Sequence, residues 1–216
     1  MFNLSNRHIL ITGATGYLGR SVAKGLAELG GLIHINSRNS YDCQTLVNEI
    51  VAEGYQAFNA SFDVTDELEV KEYVNSIDVL DVLINNTYAG RGGTLLTASK
   101  EDFMNSYNVS VVASANLIKM LEAKLADSAQ RNSTSSVINI ASMYGMVSPD
   151  ASIYDTDELT NPPYYGAAKA ALIQLTKYAA CELADKNIRV NCISPGPFPS
   201  AAVQQNMPNL INKIVL

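Results

Sequence analysis

The chain has 216 residues, of which 47% are hydrophobic and 17% are charged, and its formal net charge is −6. This length predicts a single domain with enough apolar side chains to bury a sizeable core. The negative charge argues against nucleic acid and anionic membranes as partners, because both bind a basic surface and no run of lysine or arginine occurs. Three scattered cysteines and two histidines show no metal-binding spacing, so no metal site is predicted.

The first apolar run near the N-terminus is only Ile9-Leu10-Ile11, and Thr12-Gly13 follows it at once. It is shorter than the core of a signal peptide and far shorter than the roughly 20 residues of a membrane span. The sequence therefore predicts a cytoplasmic protein that has no membrane partner.

Short apolar runs alternate with segments of helical periodicity along the whole chain. The runs are continuous rather than alternating, which is typical of strands buried on both faces of a parallel sheet. They are His8–Thr12, Leu32–Asn36, Gln56–Phe62, Val79–Asn85, Ser136–Ala141 and Ile188–Ile193. This alternation predicts one α/β domain over residues 1–216, with a Rossmann-like doubly wound sheet that binds ligands at the carboxyl ends of its strands.

Apolar residues three and four positions apart predict the helices between these strands. The first is marked by residues 22–29, the second by 46–50, a short third from 68, a long fourth by 109–125 and a fifth by 168–183. A last apolar helix is expected within Ser200–Leu216, from Leu210, Ile211, Ile214 and Val215.

The glycine-rich segment Gly13-Ala14-Thr15-Gly16-Tyr17-Leu18-Gly19 follows the first predicted strand. Glycines at a strand-to-helix turn allow the backbone to approach a phosphate closely, and the N-terminus of the next helix favours the anion. A loop that uses its glycines only for turning is the alternative. The order of strand, loop and helix favours a dinucleotide-binding site.

The residues after the second strand indicate which dinucleotide binds. Ser37-Arg38-Asn39 follows this strand, and no acidic residue appears before Asp42. A site for an unphosphorylated ribose usually offers Asp or Glu about 20 residues beyond the glycines. The Arg38 guanidinium could instead bind a 2′-phosphate, with Ser37 beside it, although a solvated surface arginine is the alternative. The pattern favours NADP over NAD.

Tyr165 and Lys169 lie four residues apart at the start of a predicted helix, which places both side chains on one helical face. A lysine ammonium next to a phenol stabilises the phenolate and lowers a tyrosine pKa that is ordinarily about 10. The phenol can then donate or accept a proton near neutral pH. A contact on the helix surface without catalytic meaning is the alternative.

Polar and turn-forming residues follow the remaining predicted strands, at the ligand-binding edge of the sheet. The Ser142 hydroxyl, after the fifth strand, could bind a substrate oxygen or simply cap a turn. Asn108 lies in the long fourth helix, where asparagine is unfavourable unless its amide has a local partner. Asp63-Val64, Asn86 and Pro195-Gly196 follow the third, fourth and sixth strands.

With these motifs, the chain resembles a short-chain dehydrogenase/reductase of the single-domain branch, from about Arg7 to about Pro199. The resemblance implies that Tyr165 is the catalytic acid/base, that Ser142 orients the reacting oxygen, and that Lys169 binds the nicotinamide ribose. It also implies that Asn108 holds a water next to Lys169, that the substrate is a small molecule, and that the protein is a homo-oligomer, a dimer or a tetramer. The positions that resemble cofactor contacts are Gly13, Thr15, Gly16, Tyr17, Leu18, Gly19, Ser37, Arg38, Asp63, Val64, Asn86, Tyr165, Lys169, Pro195 and Gly196.

The segment from Ser142 to Pro199 is similar to a bacterial subgroup associated with surface-sugar and flagellin-glycan synthesis, which implies a sugar-derived substrate. Three features depart from the family pattern. Tyr17 stands where the middle glycine is usual, Thr87-Tyr88 interrupts the N-N-A-G segment, and a final helix and strand ending near V-D-G-G are not found. We therefore expect Ile188–Ile193 to be an edge strand and the domain to associate through it.

Three functions are compatible with these residues. The first is an oxidoreductase that interconverts a secondary alcohol and a ketone with NAD(P)(H). The second, suggested by the glycine spacing, is a nucleotide-sugar epimerase or dehydratase, for whose usual separate substrate domain 216 residues leave no room. The third is a catalytically silent dinucleotide-binding protein. The presence of Asn108, Ser142, Tyr165 and Lys169 together favours the oxidoreductase.

Overall fold

The computed structural model describes residues 3–199, 201–206 and 211–212. In this part of the chain six parallel strands form one sheet, in the order β3-β2-β1-β4-β5-β6. The strands are β1 His8–Ile11, β2 Leu32–Ile35, β3 Gln56–Asn59, β4 Val82–Asn85, β5 Ser135–Ile140 and β6 Ile188–Ile193. The order reverses between β1 and β4, which confirms the predicted Rossmann-like doubly wound fold in one α/β domain.

Helices connect the strands and cover both faces of the sheet. They are α1 Tyr17–Glu28, α2 Ser40–Ala52, α3 Glu67–Ser76, α4 Lys100–Tyr107, α5 Ala113–Asn132, α6 Pro163–Glu182 and α7 Ala201–Asn206. Local chemistry explains where several of them begin. The side chains of Asn39, Asp66 and Ser99 accept backbone hydrogen bonds at the starts of α2, α3 and α4, and Pro163 occupies the first turn of α6.

The core consists of two apolar layers, because side chains along a strand alternate between the faces of the sheet. On one face, Ile9 and Ile11 of β1 belong to a cluster that includes Ile50 of α2. On the other face, Leu10 of β1 belongs to a larger cluster that includes Leu121 of α5. The two layers together hold the helices that carry the site against the sheet.

A chain of buried polar side chains links the sheet to α6. The Asn85 amide on β4 donates a 2.8 Å hydrogen bond to Asn139 Oδ1 on β5, and the Asn139 amide donates a 2.9 Å bond to Thr176 Oγ1 on α6. All three side chains are buried. A shift of α6 along the sheet would break these hydrogen bonds and leave buried polar groups without partners, which is unfavourable. The three side chains therefore favour one position of α6 relative to the sheet.

The structure changes some of the predicted boundaries. Strands β3 and β4 are shorter than the apolar runs that predicted them, since the residues beyond Asn59 and before Val82 lie in loops. The long fourth helix is interrupted by one π-helical segment, Asn108–Val112, between α4 and α5. Strand β6 pairs only with β5 among the described residues, so its expected edge position is confirmed there.

For the predicted C-terminal helix, Leu210, Ile214 and Val215 lie outside the described residues. Ile211, which also belongs to this prediction, and Asn212 are described and helical. None of the helices formed by the described residues is both long and apolar enough to cross a membrane.

Candidate active site

The loops that follow the strands surround a cleft of about 750 Å³ at the carboxyl edge of the sheet. It lies where the strand order reverses, because the loops after β1 and β4 leave the sheet toward opposite faces there. The volume is within the range of small-molecule and cofactor pockets. The site therefore forms at the position that the doubly wound topology predicts.

The glycine loop forms one wall of this cleft. Gly13 has a φ of +61°, a backbone conformation that favours glycine, and a Cβ at Gly19 would collide with the Gly13 carbonyl oxygen. Gly16, the N-cap of α1, provides no side-chain hydrogen bond to the first turn of that helix. The amide groups at the start of α1 can therefore bind a phosphate.

Asn86 joins the loop after β4 to the glycine loop. Its backbone N–H donates a 2.9 Å hydrogen bond to Thr12 Oγ1, and its side-chain amide donates to the carbonyl oxygens of Thr12 and Gly13 at 3.1 and 3.2 Å. The Asn86 side chain thus fixes the position of the loop after β4 relative to the glycine loop.

The loops after β2 and β3 form the far end of the cleft. The buried Asn36 amide donates hydrogen bonds to the carbonyl oxygens of Ala60 and Phe62, which ties the two loops together. Asp63 is held by Thr65, whose N–H and hydroxyl both donate to Asp63 Oδ1. Arg38 is exposed at this end, and no ion pair holds its guanidinium within the described part of the chain. It can therefore reach an anion without first breaking a salt bridge.

Ser142, Tyr165 and Lys169 meet at the inner end of the cleft. Lys169 is only 3% exposed, and its Nζ donates a 2.6 Å hydrogen bond to the carbonyl oxygen of Ile140, the last residue of β5. The same nitrogen lies 5.7 Å from the centroid of the Tyr165 ring. A Cβ at Gly145 would lie 2.8 Å from the Lys169 carbonyl carbon, so this glycine lets the turn after Ser142 approach α6 closely.

Ser142 performs one of the two tasks that the sequence left open, and it also contacts Tyr165. Its hydroxyl accepts a 3.1 Å hydrogen bond from the Tyr144 N–H and so caps the turn Met143–Gly145. It also interacts with the Tyr165 phenol and lowers the pKa of that group. The carbonyl oxygen of Pro195 accepts a bond from the Met143 N–H, which brings the loop after β6 to this end of the site.

Burial dominates the electrostatics of this group. It raises the pKa of the Tyr165 phenol above its ordinary value, against the opposing effect of Ser142. Burial also lowers the pKa of Lys169 to about 8. The predicted lowering of the Tyr165 pKa by Lys169 is wrong for this structure, because Nζ bonds to the Ile140 carbonyl rather than to the phenol oxygen.

Comparison with known proteins identifies the family. The sequence pattern of the family described as short chain dehydrogenase matches residues 7–210. The chain belongs to the short-chain dehydrogenase family. It is therefore an oxidoreductase that acts on CH–OH or keto groups with a nicotinamide dinucleotide.

Two curated relatives of this dehydrogenase are bacterial reductases. The chain is 33% identical over 194 residues to 3-oxoacyl-[acyl-carrier-protein] reductase FabG of Staphylococcus aureus, covering 87% of this chain and 72% of the relative. It is 30% identical over 204 residues to the rhamnolipids biosynthesis 3-oxoacyl-[acyl-carrier-protein] reductase of Pseudomonas aeruginosa, covering 92% and 75%.

Two solved structures of similar proteins contain NADP. The Pseudomonas aeruginosa RhlG/NADP active-site complex has a TM-score of 0.84 and 28% identity, with 99% of this chain and 82% of that chain covered. A gluconate 5-dehydrogenase from Burkholderia cenocepacia, in complex with NADP and tartrate, has a TM-score of 0.80 and 26% identity, with 94% and 76% covered.

Of the seventeen candidate site residues predicted from the sequence, fifteen line the cleft of this dehydrogenase. Thr15 instead borders a shallower pocket beside it, with Arg38 and Asp42. Asn108 is exposed in the π-helical segment, whereas its neighbours Asn105 and Val109 line the cleft. Sequence periodicity does not reveal this, because a π-helical turn changes which side chains share a face.

Several lining residues of the dehydrogenase were not predicted from its sequence. They are Asn36, Phe62, Thr87, Tyr88, Ala89, Asn105, Val109, Ile140, Ala141 and Phe198. Most of them are neighbours of predicted residues on the same loops, so a search of every strand end would have found them. Tyr88 carried a further signal, since it stands where the family pattern has a glycine.

Proposed function

We propose that the protein transfers a hydride between NADP(H) and a secondary alcohol or ketone, with Tyr165 as the acid/base. The observation that supports this most strongly is the meeting of Ser142, Tyr165 and Lys169 in the same cleft as the glycine loop. A protein that only bound a dinucleotide would not need a buried lysine and a half-buried tyrosine beside a serine hydroxyl. The bound dinucleotide would supply or accept the hydride.

In ketone reduction, the Ser142 hydroxyl donates a hydrogen bond to the substrate carbonyl oxygen and orients it toward the Tyr165 phenol. Tyr165 then donates its proton to that oxygen as the hydride arrives at the carbon, so the ketone gains one hydride and one proton and becomes an alcohol. Its raised pKa keeps the phenol protonated and ready to donate at neutral pH. Lys169, charged below a pH of about 8, lies beside the Tyr165 ring and can bind a ribose hydroxyl.

We further propose that NADP is preferred over NAD. The exposed Arg38 guanidinium and the Ser37 hydroxyl stand after β2, and Asp42 is the first acidic residue beyond that strand. The two similar structures named above both contain NADP. A 2′-phosphate would form a charge-assisted hydrogen bond with Arg38.

For the substrate we propose a sugar-derived secondary alcohol or ketone. The gluconate 5-dehydrogenase structure supports this class, since gluconate is a sugar acid and the bound tartrate is a hydroxy acid. A 3-oxoacyl thioester is the second candidate, because the two curated relatives are reductases of that substrate.

A substrate panel tests the proposed function. NADPH and NADH oxidation should be followed with sugar-derived ketones and with a 3-oxoacyl thioester, using the wild type and the Tyr165→Phe variant. Turnover of a sugar-derived ketone that requires NADPH and Tyr165 supports the proposal. Turnover of the thioester alone would contradict the sugar-derived substrate and support the 3-oxoacyl thioester instead. No turnover of any ketone would contradict the assignment as a reductase.

Two further expectations from the sequence stay proposals: a cytoplasmic location and a homo-oligomer. The second is supported by apolar side chains that are exposed in this monomer on α4, such as Met104 and Tyr107, and by the exposed Ile193 on the edge strand β6. Light scattering on the purified protein would measure the mass of the particle.

A further inference from the structure

Tyr88, in the loop after β4, contacts the ring of Tyr165. The two ring centroids lie 4.7 Å apart and the rings are nearly perpendicular, at 81°. Tyr88 lines the cleft and remains 41% exposed. An aromatic surface is therefore available next to the phenol that we assign as the proton donor.

The backbone around Tyr88 is shaped to hold this ring in place. Gly90 has a φ of +153°, and a Cβ there would collide with the Tyr88 hydroxyl and lie 2.8 Å from Tyr164 Cε2. The buried Tyr164 hydroxyl donates a hydrogen bond to the Arg91 carbonyl oxygen and accepts one of 3.1 Å from the Arg91 N–H. The Tyr88 loop is thus attached to the start of α6, one residue before Tyr165.

The segment between Ser142 and α6 packs against the same loop. The Gly93 N–H donates a 2.9 Å hydrogen bond to the Thr160 carbonyl oxygen, and a Cβ at Gly92 would collide with the Glu158 carbonyl oxygen. The Tyr154 hydroxyl lies 3.0 Å from that of Tyr144, two residues after Ser142. The segment that precedes α6 therefore supports the loop that carries Tyr88.

Tyr88 is suited to binding rather than to proton transfer. Burial, with smaller contributions from Tyr164 and Tyr165, raises the pKa of the Tyr88 phenol well above its ordinary value. The side chain therefore stays neutral and does not compete with Tyr165 for the proton. Tyr88 therefore provides the substrate with an aromatic surface whose position is fixed by the surrounding loops.

An aromatic ring discriminates between substrate skeletons by their shape and flexibility. A saturated ring presents several C–H groups together and loses little rotational freedom when it lies on an aromatic surface. An open chain of the same carbon number must first order its rotatable bonds, which opposes binding.

We propose that Tyr88 is a specificity-determining residue, whose ring contacts the substrate skeleton beside Tyr165 and favours a reacting carbon that belongs to a saturated ring. This inference rests on the proposed function, because it takes Tyr165 as the group that faces the reacting oxygen. It deepens that function by naming the shape of the substrate.

Binding of two six-carbon ketones, cyclohexanone and 2-hexanone, to the protein saturated with NADP⁺ tests this assignment without turnover. Ligand-observed NMR titration should show that Tyr88→Ala raises the Kd of cyclohexanone by about five- to tenfold, the scale of one lost aromatic contact. Tyr88→Phe should stay within about twofold of the wild type, and 2-hexanone should change by less than about twofold in either variant. Tyr178→Ala, at an exposed position on α6, is the matched control.

A second variant reports on the site directly. The chain contains no tryptophan, so Tyr88→Trp introduces a single fluorophore beside Tyr165. Cyclohexanone should change its emission in the NADP⁺ complex, and it should not change the emission of a Tyr178→Trp variant. The Tyr88→Trp protein also shows by its own fluorescence whether the position is folded.

Three results would overturn the assignment of Tyr88. They are an equal loss of affinity for both ketones in Tyr88→Ala, a loss of NADP⁺ affinity in that variant, and no binding of cyclohexanone to the wild type. NADPH oxidation with the same two ketones separates this result from the proposed function. Selective binding without turnover supports the role of Tyr88, and the substrate panel then decides separately whether the protein is a reductase. Turnover of both ketones without selectivity supports the reductase and contradicts the role of Tyr88.

Discussion

Lys169 Nζ donates a 2.6 Å hydrogen bond to the carbonyl oxygen of Ile140, the residue two positions before Ser142. One contact therefore connects the helix that carries Tyr165 to the strand that delivers Ser142. It also explains why the ammonium lies beside the Tyr165 ring rather than at its oxygen. The catalytic group is held together by a backbone carbonyl that no side-chain motif reveals.

Replacing Tyr165 with phenylalanine should lower kcat by about two to four orders of magnitude, because only the transferred proton is removed. The Kd of NADPH should change little. Steady-state kinetics with the best ketone of the substrate panel, together with a fluorescence titration of NADPH, measures both quantities. Tyr178→Phe is the control, and a kcat of Tyr165→Phe within a few-fold of the wild type would contradict the assignment.

NADPH binding should weaken as the pH rises above about 8, where the buried Lys169 loses its charge. The sign follows from the group, since lysine is cationic below its pKa and neutral above it. The titration should be repeated in Tyr165→Phe, which has no phenol at this position. If the alkaline loss of affinity disappears in that variant, the titrating group is Tyr165 and not Lys169.

Arg38→Ala should weaken NADPH binding by about 1.5–3 kcal/mol, as expected for a lost hydrogen bond to a charged group. NADH binding should stay nearly constant, because NADH carries no 2′-phosphate. Isothermal titration with both dinucleotides measures the difference, with Arg131→Ala on the exposed surface of α5 as the control. A wild-type protein that binds NADH more tightly than NADPH would contradict the proposed preference.

Gly19→Ala should reduce dinucleotide affinity by tenfold or more, since the added methyl group would collide with the Gly13 carbonyl oxygen and displace the loop. Gly25→Ala is a matched control on the same helix, because a Cβ there meets no atom within 4 Å. The control should bind normally and gain about 0.5–1 kcal/mol of stability from the better helix former. Equal affinities in the two variants would show that the close approach at Gly19 does not shape the cofactor site.

His34 predicts how stability depends on pH. Burial, with a smaller contribution from His8, lowers the pKa of His34 to about 4, and the ring nitrogens contact His8 Nδ1 and the Tyr73 hydroxyl at 3.0 Å each. The unfolded chain binds this proton near pH 6.5, so the free energy of unfolding is constant above that pH and falls as the pH drops toward 4. The full loss is on the order of 3 kcal/mol.

Urea unfolding of the wild type and of His34→Gln between pH 7.5 and pH 5 measures this loss. Glutamine keeps a polar side chain but does not titrate, so the variant should show a flatter dependence. The nearby Asp81 carboxyl does not interfere. Its hydrogen bonds with Ser128, the His8 N–H and Arg7 outweigh its burial and hold its pKa below the ordinary value, which places its own titration below this range. The same pH dependence in both proteins would assign the effect to other groups.

Much of this protein could be predicted from sequence because the information is local. Continuous apolar runs such as Ile9–Ile11 indicate strands buried on both faces, and the glycines from Gly13 to Gly19 follow the first of them directly. The ligand side of a parallel sheet is defined by chain direction alone. Any polar residue just after a strand, such as Ser142 or Asp63, was therefore expected at the cleft.

Features of the site that depend on distances between separate segments of the chain were decided only by the tertiary structure. Asn105 and Asn108 would share a face of a regular helix, but in the structure Asn105 lines the cleft and Asn108, at the start of the π-helical segment, does not. The direction in which the Tyr165 pKa shifts depends on burial and on the hydrogen-bond partner of Lys169 Nζ. Neither can be predicted from the four-residue spacing of Tyr165 and Lys169 along a helix. Tyr88 lies 77 residues before Tyr165 in the sequence, and its ring reaches the site only because Gly90, Tyr164 and Thr160 hold two distant loops together.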